Sequence, residues 1–349
     1  MTRARIQLFA CASLATAILG VGTARGQDTP PADAPTEGDA AQPESEAAPA
    51  EEAEPPPFVQ PTLDAAHLAI ALTRGERVYR SHCAACHGRA GDGRGPAARF
   101  MRVRPRNFLT GAYKFRTTPS GSLPTDADIL RTIRRGVPGT EMPSWAGRLP
   151  DSDLRAVTQY IKMFSPRFGV EQILNPILMP RSTPHFDAGT VTRGRMLYVL
   201  MRCWTCHGIR GDGDGPAAAA LHDDAGQTIA AQDFTSEPFR SGGRPLDVFR
   251  TFTTGVNGTP MPSFDDALLA GRDAFQDLGD YSTVTTAAER VELRAFIDRL
   301  PLTDEIWELP EAERRAWAAQ LRWDLVGFVM NLRGGGPLRY IAADPYVTE

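Results

Sequence analysis

The chain has 349 residues, of which 42% are hydrophobic and 23% charged, with a net charge of −4 and five cysteines. That length accommodates two ordinary domains plus tails. Beyond the N-terminus no stretch is long and apolar enough to span a bilayer, and no aromatic-studded basic surface points to nucleic acid.

The first residues have the form of a secretory signal. Arg3 and Arg5 precede an uncharged apolar stretch from Ile6 to about Gly22, and Ala24 and Gly26 are small residues before Gln27. Residues 1–26 are therefore expected to be a signal peptide and the mature protein periplasmic. An uncleaved anchor helix is the alternative, because about 17 apolar residues is near the lower limit for a span. From 27 to 62 the sequence is rich in Pro, Ala, Glu and Asp, with nine acids and no Lys or Arg between 27 and 57. Such a segment cannot bury enough apolar surface to offset its ordering entropy, and a disordered acidic tether is expected.

The remainder is an internal repeat. Thr73-Arg74-Gly75 recurs as Thr192-Arg193-Gly194, Tyr79 as Tyr198, and the run Gly91 to Ala98 as Gly211 to Ala218. Phe115-Arg116 corresponds to Phe239-Arg240, and the positions from Asp128 to Ser144 return from Asp247 to Ser263. The period is too long for a solenoid and suits a duplicated domain. Residues 63–168 carry 18 bases against 8 acids, whereas 169–349 carry 17 against 25. A basic half joined to an acidic one implies contact between the halves or two different partners.

Each half reads as helical. Amphipathic stretches run from Leu68 to His82 and from Thr192 to Arg202. A short helix is expected to start near Thr125 and stop at Gly136, with a counterpart from Pro245 to Gly255. A closing helix spans about Pro150 to Phe164, and its equivalent arrives late, at Glu311 to Leu332. Residues 266–308 then form an insertion, for which a docking surface is the plainest role. The domains predicted are 63–168 and 187–337, joined by a linker at 169–186 and followed by a tail at 338–349.

All four cysteines outside the signal fall in two Cys-x-x-Cys-His units: Cys83, Cys86, His87 and Cys203, Cys206, His207. Thiols at this spacing reach the two vinyl groups of one porphyrin, and the adjacent His lies under its iron. A zinc knuckle or a redox dithiol would need further ligands or a strand–helix context, and neither is present. Two covalent haem c groups are the expected cofactors. Met142 and Met261 both occupy Gly-Thr-x-Met-Pro-Ser before an aromatic, and are the candidate sixth ligands. A thioether there raises the potential relative to a second His. Met101 is an alternative for the first iron, and His222 or His185 for the second. Arg116 and Arg240 are candidates for propionate binding through their forked donors. Pro96 and Pro216 are candidates for presenting the preceding carbonyl to the proximal His.

The order of opening helix, Cys-x-x-Cys-His, Gly-Pro loop, Met loop and closing helix resembles a class I cytochrome c domain, and the tandem arrangement is similar to diheme cytochromes c. The run from Lys114 to Trp145 also resembles cytochrome subunits of bacterial respiratory complexes. The resemblance implies an all-α fold of two tandem cytochrome c-like domains, each wrapped around one covalent haem. It implies ligation by His87 and Met142 and by His207 and Met261, with Cys83, Cys86, Cys203 and Cys206 holding the porphyrins. The expected role is electron transfer rather than catalysis, between redox donor and acceptor proteins that include a membrane-bound respiratory complex. A di-haem peroxidase-like enzyme and a subunit of a larger dehydrogenase or oxidase complex are the alternatives.

Overall fold

The computed structural model describes residues 63–236, 238–275 and 281–333. The expected signal, tether and C-terminal tail lie outside the described residues.

In the first half, α1 (Ala65–His82) leads into the short turn α2 (Ala84–His87), followed by α3 (Asp126–Arg135), α4 (Asp151–Lys162) and α5 (Arg167–Val170). The second half has α6 (Ala188–Leu200), α7 (Trp204–His207), α8 (Pro245–Thr254), α9 (Ala287–Asp298), α10 (Thr303–Trp307) and α11 (Glu311–Leu332). No β-strand forms among the described residues, and no helix among them is long and apolar enough to cross a membrane. The fold is all-α, as the sequence implied.

Caps set the helix boundaries. At α3 the Thr125 hydroxyl accepts from the Asp128 N–H at 3.2 Å, and the Asp128 carboxylate accepts from the Thr125 N–H at 3.0 Å. Gly136, at φ +68°, ends the helix. α1 and α6 start earlier than their apolar periodicity suggested. Asp64 accepts from the His67 N–H at 2.9 Å, and Asp187 from the Thr190 N–H at 2.7 Å, so each acid caps a turn that carries few apolar residues.

α1 crosses α4 in the first half, and α6 crosses α11 in the second. Both crossings are close. A Cβ on Gly75 would sit 2.3 Å from the Ala156 carbonyl oxygen, and one on Gly194 would sit 2.1 Å from that of Asp324. The repeated Thr-Arg-Gly thus marks where two helix backbones touch.

The insertion is built into the second core. Val284, Leu293, Phe296, Ile297 and Ile306 are buried with the α6 and α11 side chains. Arg195 on α6 points into it, donating from Nε to Glu289 at 3.2 Å and from Nη2 to the Val284 carbonyl at 3.1 Å. This cover explains why α6 is buried on most of its surface rather than amphipathic. The core also extends into a segment whose sequence suggested a docking surface.

The halves touch through polar contacts. Arg135 Nη1 meets Asp247 at 3.1 Å. Arg116 Nη2 donates to the Thr254 carbonyl at 2.7 Å. Asn257 accepts from the Gly121 N–H at 3.0 Å and donates to the Ser122 carbonyl at 3.3 Å. The charge asymmetry in the sequence meets, in part, across this boundary.

Candidate haem sites

Each Cys-x-x-Cys-His is a single helical turn, closed by the His87 and His207 N–H groups donating to the Cys83 and Cys203 carbonyls, both at 2.9 Å. The Gly-Pro loop braces this turn: the Ala97 N–H donates to the Ala85 carbonyl at 2.9 Å, and the Ala217 N–H to that of Thr205 at 2.8 Å. A buried tyrosine fixes the turn's far end. Tyr79 donates to the Gly88 carbonyl at 2.7 Å, and Tyr198 to that of Gly208 at 2.6 Å. Tyr79→Phe is expected to cost about 1 kcal/mol by removing a buried hydrogen bond. A denaturant midpoint equal to that of the wild type would show that the bond contributes nothing.

The two imidazoles are oriented from behind, but not by the proline loops. His87 Nδ1 lies 3.1 Å from the Arg106 carbonyl and His207 Nδ1 lies 2.9 Å from that of Gln232. Pro96 and Pro216 sit in the bracing loop, so the orienting carbonyl comes from a later strand of the chain. Donation from Nδ1 leaves Nε2 as the lone pair available to a metal. Phe108 and Phe234 stack on the rings, with centroids 4.6 and 4.3 Å away. Burial lowers the pKa of both imidazoles, favouring the neutral, ligating form.

The Met loops are copies of one another. The Val137 N–H donates to the Met142 carbonyl at 3.0 Å and the Val256 N–H to that of Met261 at 3.1 Å. Thr140 and Thr259 hydroxyls accept from the Met N–H groups at 3.2 and 3.3 Å. Each loop is thus clamped on both sides of its methionine.

In the second half the pieces converge. Cys203, Cys206, His207 and Met261 line one cavity of about 1120 Å³, shared with Phe252 and Leu325. Arg240 lines it too. The set fits a porphyrin: two thiols, a neutral imidazole, a thioether, an apolar wall and a cation. Arg116 is elsewhere, fully buried at the boundary between the halves. Its Nη1 is a buried donor without a partner among the described residues, the kind of group a carboxylate satisfies.

Burial pushes the Cys83 and Cys203 thiols up to about 12, each with a smaller push from its neighbouring cysteine. A redox dithiol needs the opposite shift. Among the described residues no cluster of three or more His, Cys, Asp or Glu side chains could hold a metal ion. Of the alternative iron ligands, Met101 lines the cavity of the second half. His185 and His222 are exposed, the latter with Nδ1 2.9 Å from the Ala220 carbonyl.

Comparison with known proteins agrees with this geometry. The family described as cytochrome c oxidase, cbb3-type, subunit III matches residues 70–161, and the cytochrome c family matches residues 191–281. The chain belongs to the c-type cytochromes, with two cytochrome c domains in tandem and two covalently bound haem c groups. It is 28% identical over 218 residues to the cbb3-type cytochrome c oxidase subunit CcoP of Azospirillum sp. (strain B510), covering 58% of this chain. A relative of the same description from Azospirillum brasilense is 27% identical over 217 residues. The chain spans 60% of the length of these curated relatives. Among solved structures it is similar to a chain of the Kuenenia stuttgartiensis reducing HAO-like protein complex Kustc0457/Kustc0458. That likeness has 36% identity and a TM-score of 0.58, over 74% of this chain and 96% of that one.

Proposed function

We propose that this chain is a periplasmic electron-transfer protein that relays electrons between respiratory partners, as a subunit of an oxidoreductase complex whose catalysis occurs on another chain. Its domains would span about 63–168 and 187–337, behind a cleaved signal peptide. The observation that carries this reading is the duplicated Met loop, with Met261 in one cavity with His207 and both cysteines. The subunits of multi-protein complexes among its relatives support the placement in a complex.

Bound haem supplies a one-electron iron couple. The chain's own residues do the rest. His87 and His207 hold a neutral nitrogen in place through their Nδ1 bonds. Met142 and Met261 offer sulfur from clamped loops, which favours the ferrous state. Cys83, Cys86, Cys203 and Cys206 fix the porphyrins covalently, and Arg116 and Arg240 offer donors to carboxylates. If His87 with Met142 and His207 with Met261 held the two irons, neither would keep an open position for a substrate, which separates this reading from a peroxidase.

The test is a spectrum of the oxidised holoprotein, quantifying the weak far-red Met-to-iron charge-transfer band per haem. Two equivalents with low-spin iron are expected. One or none, with a high-spin signal, would overturn the assignment of Met142 or Met261.

A further inference from the structure

The second cavity is not walled by the second domain alone. Met101, Arg102, Arg104, Lys114 and Phe115, all from the first domain, also line it. Its charged lining is lopsided, with Arg102, Arg104, Lys114, Arg202 and Arg240 against the single carboxylate of Asp223. Lys114 and Arg240 are half-buried, and neither side chain has a hydrogen-bond or ion-pair partner among the described residues. Arg102, Arg104 and Arg202 are exposed and screened by water, so the charge left to be answered is that of the half-buried pair, Lys114 and Arg240, which repel one another and call for anions.

Burial lowers the pKa of Lys114 to about 8, Arg106 and Arg240 add repulsion, and Asp223 opposes them. Burial, and then Arg102, likewise lower the pKa of Arg240. A porphyrin tethered at Cys203 and Cys206 brings two carboxylates into this space. Counted by charge, they are the anions that the lining lacks.

We propose that Lys114 and Arg240, one from each domain, form the binding site for the propionates of the second haem, so that both domains hold that haem. This rests on the reading of Cys203, Cys206 and His207 as a haem site. The repeat argues that the device is one-sided: where the first half has Lys114, the second has Pro238, which carries no charge to lend in return.

The experiment uses the full chain with both haems. Lys114→Gln, Lys114→Arg and Arg240→Met are compared by spectroelectrochemical titration, with the first haem marked spectroscopically by Met142→His in every protein. Mass spectrometry of the unsubstituted chain first counts haems; fewer than two overturns the haem reading itself. With both haems in place, Lys114→Gln and Arg240→Met are expected to lower the potential of the second haem and leave the marked one in place. Removing a cation leaves propionate charge that favours ferric iron. Lys114→Arg keeps the charge and should restore the potential. If the potential of the second haem is the same in all variants, or if both haems shift equally, the two-domain site is wrong. Should Lys114→Gln prove unstable, Lys114→Met, which keeps most of the side chain's length and apolar stem, takes its place under the same criteria.

Discussion

Gly194→Ala is expected to lower the melting temperature of the second domain by roughly 4–8 °C, read by calorimetry. The added Cβ would fall 2.1 Å from the Asp324 carbonyl oxygen and 2.6 Å from the Phe328 Cβ. The first of these is backbone in the middle of α11 and cannot swing aside. Alanine favours a helix over glycine by about 1 kcal/mol, whereas overpacking costs up to about 3 kcal/mol or more. The clash therefore wins by roughly 2 kcal/mol, which for a domain of this size gives the shift stated. Gly169→Ala is the control, because a Cβ there meets nothing within 4 Å. A Gly194→Ala melting point at or above that of the control would show that α6 and α11 can separate at little cost.

The second large effect concerns attachment. The double substitution Cys203→Ala, Cys206→Ala is expected to reduce the protein from two covalent haems to one by mass. It should also leave the second domain unfolded or readily digested by protease, while the first keeps its Met-to-iron band. On the proposed assignment the porphyrin would fill the cavity and form part of the core. Were even a tenth of the cavity of about 1120 Å³ left unfilled, the cost would be roughly 3 kcal/mol. That is a large fraction of the 5–15 kcal/mol typical of a folded domain. A double variant that still carries two covalent haems would show that the attachment site has been misplaced.

Much of this was legible in sequence because local chemistry decided it. Thr125 with Asp128 and the stop at Gly136 bounded α3 without tertiary information. Pro245 did the same for α8, and α11 occupies Glu311–Leu332 as its pattern indicated. The haem motifs and Met loops were exposed by the repeat. Other features depended on distance in space. Phe108 and Phe234 stack on the histidines, yet they lie 126 residues apart while the haem motifs lie 120 apart, so a fixed repeat offset hides them. The carbonyls that orient the imidazoles come from Arg106 and Gln232, and backbone carbonyls leave no residue signature. The burial of Val284, Leu293, Phe296, Ile297 and Ile306 required knowing that this segment packs on α6, where Arg195 faces Glu289. The presence of Lys114 in the other domain's cavity required knowing how the halves meet.

That last placement bears on how the repeat can be taken apart. A duplicated gene begins as two interchangeable copies, each able to stand alone. Here residues 101–104 together with Lys114 and Phe115 furnish a wall for a cavity whose cysteines lie about a hundred positions further on. A cut through the linker would therefore leave the two pieces unequal: the first would keep its own core, and the second would lose one side of its haem pocket to water. The dependence runs one way, and separating the halves would damage the second copy more than the first.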